Sequence, residues 1–277
     1  MVLENRMCHR TLHRIGCGLI GICWLTAVNA SDQSLPRASE VVAAMLERSA
    51  KVANAEHSRT WAYDKITVAD QLGEEGEVTS TVEKLHRVKV YRGVPFSRLV
   101  RIQGQPLSPE ELRKEDKREA EFRQRISGRD PSKVASSKEP LIMKELVDRY
   151  EFEVRKREMI DGRPTLEVAF GIKPGKQVEK NLQDRILNRL AGTVWVDEAT
   201  SEVARLDVYL TKSFSLGILG ILGSLSECRF SLTREPMTDG TWLPTTQETR
   251  ITARKLATSV HFRVKEESRN FQPEPAS

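Results

Sequence analysis

EFEVRKREMIDGRPTLEVAF, from Glu151 to Phe170, decides the fold. Phe152 and Val154 alternate with charged residues, Asp161-Gly162 follows, and Leu166, Val168 and Phe170 return with the same period of two. Asp-Gly between two such runs marks a tight hairpin, because both central residues of its turn need positive φ. Alternation also means that each strand has one wet face and one buried face. The pair therefore belongs to an antiparallel sheet whose apolar side is covered.

The same pattern extends in both directions. Downstream, Val194 and Val196 precede a turn at Asp197–Ser201, and Ala204, Leu206, Val208 and Leu210 return. Cys228, Phe230 and Leu232 lead to a turn at Asp239-Gly240, then to Thr249, Ile251 and Ala253, with Val260, Phe262 and Val264 closing the set. Upstream, Trp61, Tyr63, Ile66 and Val68 mark one strand, residues 78–91 a second, and residues 96–102 a third that ends at Gly104. Residues 36–55 instead place Val42, Met45, Leu46, Val52 and Ala53 at helical spacing, which predicts an amphipathic helix with one stripe for the core. Ser108-Pro109-Glu110-Glu111 reads as a capping box opening a highly charged helix to about Ile126 that mostly faces water. Shorter helical stretches are expected at 141–150 and within 175–190. The predicted fold is mainly β, of the α+β kind: a half-open antiparallel β-barrel of about ten or eleven strands with covering helices.

The chain has 277 residues, 39% of them apolar and 30% charged, with 44 basic against 39 acidic side chains. That composition excludes wholesale disorder and a polytopic membrane protein. Residues 1–16 carry Arg6, Arg10 and Arg14 against Glu4, the apolar run CGLIGICWLTAV follows from Cys17 to Val28, and Val28-Asn29-Ala30 offers small residues at −3 and −1. These are the parts of a secretory signal peptide cut after Ala30. The alternative is an uncleaved anchor, and the run falls short of the ~20 apolar residues that span a bilayer. Residues 1–30 are thus expected to be removed, leaving 31–277 as one periplasmic domain. The signal takes a net charge of two with it, so the remainder carries about +3. Its basic and acidic residues are interleaved, as in EELRKEDKREAEFRQR, which is a solvated surface rather than a nucleic-acid face. Cys228 is the single cysteine after Ala30. No internal disulfide is possible, and its alternation with Phe230 and Leu232 makes it a buried small hydrophobe.

Catalytic chemistry leaves little trace. His57, His86 and His261 stand isolated outside metal-binding spacings, with His261 on the face opposite Val260 and Phe262. There is no GxSxG elbow, P-loop or GxGxxG after a strand. No catalytic residue, metal or cofactor is assigned, and the chain reads as a binding protein rather than an enzyme. One stretch departs from the background: LGILGILGSL, in which Leu216, Ile218, Leu219, Ile221, Leu222 and Leu225 are threaded with three glycines. Glycine loosens the backbone. The stretch either plugs the sheet interior or forms an apolar flap over a lipid-sized cavity. Met45 on the first helix and Trp61 on the first strand join it as candidate ligand or lid residues.

Tyr91–Lys117 (YRGVPFSRLVRIQGQPLSPEELRKEDK), Gly192–Leu210 (GTVWVDEATSEVARLDVYL) and Gly223–Lys255 (GSLSECRFSLTREPMTDGTWLPTTQETRITARK) resemble the bacterial LolA/LolB-like lipoprotein-carrier superfamily. The likeness is narrower to its outer membrane lipoprotein-sorting members and covers most of Pro36 to Phe271. The resemblance implies a half-open barrel with helices as a lid over an apolar cavity. It further implies a lipoprotein acyl chain or other lipid as ligand, and membrane-bound donor and acceptor partners. The alternative on this scaffold is an envelope sensor or regulatory binding module. An enzyme with an unrecognised site ranks behind both.

Overall fold

The computed structural model describes residues 34–54, 61–92, 94–128, 147–175, 177–216, 223–255 and 258–274. Helix α1 (Ala38–Asn54) is followed by strands β1 (Trp61–Leu72), β2 (Val78–Tyr91), β3 (Val94–Ile102) and β4 (Gln105–Pro106). Helix α2 (Pro109–Ser127) precedes β5 (Tyr150–Ile160) and β6 (Arg163–Ile172), and the short α3 (Leu182–Leu187) precedes β7 (Leu190–Asp197). Then come β8 (Val203–Leu210), β9 (Phe214–Leu216), β10 (Gly223–Pro236), β11 (Trp242–Lys255) and β12 (Thr258–Pro273).

All twelve strands lie in one unclosed sheet, in the order β4-β3-β2-β1-β12-β11-β10-β8-β7-β6-β5, with β9 beside the start of β10. The expected half-open antiparallel architecture is therefore present. The twelve strands are slightly more than the ten or eleven expected, and the two that alternation does not mark are β4 and β9, of two and three residues, too short for any alternation to register. The hairpin between β5 and β6 turns at Asp161 and Gly162, with φ of 49° and 76°, as the Asp-Gly signal requires. Of the helix expected at 141–150, residues 141–146 lie outside the described residues, and Tyr150 already belongs to β5.

The two faces of the sheet differ sharply. Residues directly opposite each other on neighbouring strands share a face. The outer face is a ladder of cross-strand ion pairs: Arg87–Asp64 at 2.9 Å, Arg263–Asp70 at 2.7 Å, Arg229–Asp207 at 2.6 Å and Lys156–Glu167 at 3.1 Å. Hydrogen bonds from Thr81 and Arg263 hold the Asp70 carboxyl below its ordinary range. The inner face carries the core. There the apolar stripe of α1, Val41, Val42 and Met45, packs on Leu166 and Val168 of β6 and Val194 and Val196 of β7. Each such side chain contributes about 1.5–3 kcal/mol by leaving water.

Helix α2 is held by polar contacts more than by apolar ones. Its capping box forms as read, the Ser108 hydroxyl accepting from the Glu111 amide and the Glu111 carboxylate accepting from the Ser108 amide. Phe122 meets Phe96 at 4.9 Å, and Glu119 takes hydrogen bonds from Tyr91, Arg98 and Arg123. Burial works to raise the Glu119 carboxyl, but those three donors overcome it and bring it down to about 2. The core and this charged helix should respond differently to truncation. Leu166→Ala should cost about 2–5 kcal/mol in denaturant unfolding, whereas Leu112→Ala, on the exposed face of α2, should stay within about 0.5 kcal/mol.

Candidate functional site

The register of the sheet aligns one inner-face row across nine strands. Phe152 lies opposite Phe170, Phe170 opposite Gly192, and Gly192 opposite Val208. Val208 pairs with Phe230, Phe230 with Thr249, Thr249 with Val264, Val264 with Ala69, and Ala69 with Val82. At about 4.8 Å per strand the row runs almost 40 Å. Apart from the Thr249 hydroxyl it offers no polar side-chain group. Gly192 is buried and the other eight positions are half-buried or exposed, so the row is an open gutter rather than a sealed core.

Gly192 shapes the gutter. A Cβ there would lie 2.1 Å from the Asp207 carbonyl oxygen and 2.8 Å from Cζ of Phe170. The absent side chain lets the Phe170 ring drop against the backbone, where it also meets Phe152 at 6.2 Å and Tyr150 at 5.5 Å.

The flanking rows give the gutter its two banks. On one side Val154, Val168, Val194, Leu206 and Leu232 continue into Gln247, Glu266, Thr67 and Lys84. That bank is apolar under α1 and polar beyond it. On the other side Cys228 faces Ile251, and Ile251 faces Phe262. Ile251 and Phe262 are exposed, at 36% and 42%. Large apolar side chains displayed side by side on a surface are the kind of patch that meets a ligand or partner.

At its Phe152 end the gutter opens into a cleft of about 340 Å³ between α1 and β5. Ala38, Val42, Ala43 and Leu46 line it from the helix, Tyr150 and Phe152 from the sheet edge, and Val147 from the helical turn just before β5. Burial pushes the Tyr150 phenol up to about 12, and its hydroxyl donates to the Leu187 carbonyl at 2.5 Å. It is a neutral wall at physiological pH.

The residues singled out from sequence fall in several places. Met45 is buried in the core beneath α1, and Trp61 is buried with its indole N–H donating to Asp239 at 2.9 Å. Leu216 ends β9 opposite Gly223, and Leu225 is half-buried in β10 opposite Phe214 and Ala253. Ile218, Leu219, Ile221 and Leu222 lie outside the described residues. Cys228 is on the inner face as expected but only half-buried, because α1 covers β5 to β8 and not β10 to β12. Burial, with the neighbouring Glu227 charge, still pushes its thiol up. His261 takes the outer face, with Nδ1 3.3 Å from the Thr252 hydroxyl. Alternation had marked Phe230, Ile251 and Phe262 as inward, but which strands lie side by side is what joins them into a surface.

Among the described residues no group of three or more His, Cys, Asp or Glu side chains is placed to hold a metal ion. No described helix is long and apolar enough to cross a membrane.

No family model matches the chain, and no curated protein does. Several solved structures are similar in fold. A DUF1329 family protein from Desulfovibrio piger aligns over 88% of this chain and 95% of its own at 13% identity, with a TM-score of 0.36. An outer membrane lipoprotein-sorting protein domain from Vibrio parahaemolyticus covers 87% of this chain and 95% of its own at 12% identity and a TM-score of 0.34. A LolA superfamily protein from Nitrosomonas europaea covers 87% and 95% at 8% identity and a TM-score of 0.28. At such scores the functional reading rests on this chain's own residues.

The tight seat at Gly192 gives a direct check on the gutter. Gly192→Ala should lower unfolding free energy by about 1–3 kcal/mol, since the added methyl meets backbone and an aromatic ring. Chemical denaturation would measure it, and an unchanged midpoint would mean that Phe170 does not sit as described.

Proposed function

We propose that this chain is an exported, periplasmic binding protein that shelters the alkyl chain of a lipid or lipoprotein on the inner face of its sheet. The observation that carries the reading is the apolar row from Phe152 to Val82, open along its length and continuous with the cleft beneath α1. Sites for small molecules are concave, predominantly apolar and of about 300–1,000 Å³. The cleft alone reaches the lower end of that range, so the gutter is needed to hold a long chain. A 14-carbon chain gains on the order of 10 kcal/mol at ~0.8 per buried CH₂, before ordering costs. Shelter of this kind needs no covalent step, and none of the described titratable groups is required to exchange a proton. A membrane-bound donor and acceptor would load and empty the site. The signal-like residues 1–30 support export, with Ser31 as the mature N-terminus.

The exposed bank offers a test that separates binding from folding. Ile251→Ser with Phe262→Ser removes side chains that are already substantially in water, so the melting temperature should fall by only a few degrees. Binding of radiolabelled tetradecanol should weaken about tenfold or more, because two apolar walls are lost. Undiminished binding by the double variant would place the ligand elsewhere, and no binding by the parent protein would remove the reading.

A further inference from the structure

The far end of the gutter is bordered by charge. Beyond the cover of α1, the polar bank holds Glu266, Thr67 and Lys84 in one row, and Ser268, Lys65 and His86 lie opposite one another in the next. All share the inner face with Ala69 and Val82. Along β2 the three positions Val82, Lys84 and His86 step away from the gutter by about 7 Å each. Lys84 and Glu266 are therefore the first charges that a molecule lying on Val264, Ala69 and Val82 would meet, and of the two only Lys84 is left without an ion-pair partner among the described residues.

The charges in this corner do not cancel. Lys65 donates to Glu266 at 3.0 Å, and Thr67 donates to the same oxygen at 3.1 Å. From α2, Glu115 is paired with Arg118. Lys84 is exposed and has no ion-pair partner among the described residues. Nδ1 of His86 is buried without a hydrogen-bond partner, which leaves a polar atom short of the contact it had in water. Desolvation first, then the charges of Lys65 and Lys84, push the His86 imidazole toward its neutral form. The corner thus holds one positive charge in excess, beside an apolar trough.

We infer that the ligand is an anionic amphiphile, with its alkyl chain in the gutter and a carboxylate or phosphate head at Lys84, Lys65 and His86. This rests on the proposed function and adds the sign of the head group. Lys84 supplies the uncompensated charge, Lys65 can share its ammonium between Glu266 and the head, and a head-group oxygen has His86 within the same corner.

Three probes of equal chain length decide the matter: tetradecanol, tetradecanoate and tetradecyl phosphate, titrated against the full-length mature protein at pH 8 and low salt. Both anions should bind about fivefold or more tightly than the alcohol, and whichever is favoured distinguishes carboxylate from phosphate. Lys84→Gln should shrink that preference to less than about twofold, Lys84→Arg should keep it, and Glu266→Gln should enlarge it by removing the competing carboxylate. Equal binding of alcohol and anions by the parent protein would overturn the head-group assignment while leaving the gutter standing. A preference that survives Lys84→Gln would also overturn it. Failure of all three probes to bind would remove the gutter reading, and the head group with it.

Discussion

The antiparallel pairing of β1 with β12 is the contact on which the rest of the molecule depends. It joins the first strand to the last, and without it the sheet would part into a four-stranded piece and a larger one. The ladder runs from Trp61 opposite Pro273 to Leu72 opposite His261. Side chains lock it from both faces. Outside, Arg263 holds the buried Asp70 at 2.7 Å and Asn270 donates to Asp64 at 3.0 Å. Inside, Glu266 gathers Lys65 and Thr67, and Tyr63 packs on Phe271 at 5.2 Å. A slip of one residue would turn every side chain of the strand to the other face, bringing Ala69 out of line with Val264 and cutting the gutter in two.

That pairing also extends the apolar surface across the sheet. Strands β5 to β8 bury their inner face under α1, as an ordinary core does. No described helix packs in the same way on strands β10 to β12 and β1, and their inner face mixes Ile251, Phe262 and Val264 with Gln247, Glu266 and Lys65. The mixture limits the apolar patch on these strands to a band about two rows wide. On the other face the ion pairs Arg87–Asp64, Arg263–Asp70, Arg229–Asp207 and Lys156–Glu167 place charge along the sheet. Free energy gained by covering the band is what a carrier or binding protein has to offer its ligand.

Much of this was legible in the chain because local physics determines it. Period-two alternation and the turns at Asp161-Gly162 and Asp239-Gly240 located the hairpins, and Ser108 with Glu111 located the start of α2. The helical stripe of Val42 and Met45 identified the cover. What sequence could not express was long-range pairing. Nothing local in Ala69 or Val264 says that they face each other across 195 residues, and the gutter exists only through such neighbours. Cys228 illustrates the same limit: its alternation fixed the face, but how far it is buried depends on where α1 ends. Lys84 and His86 carry no local signal either; only register sets them beside an apolar row. The short β4 and β9 carry too few residues for any periodic signal.

Photo-crosslinking tests the central claim most directly. A tetradecanol bearing a mid-chain diazirine would be bound to the mature protein, irradiated, and the adducts located by peptide mass spectrometry. The account predicts labelling on inner-face positions of the row, chiefly Val208, Phe230 and Val264, suppressed by excess unlabelled alcohol. Competed labelling confined to outer-face residues such as Arg229, Arg250 and Arg263 would contradict it.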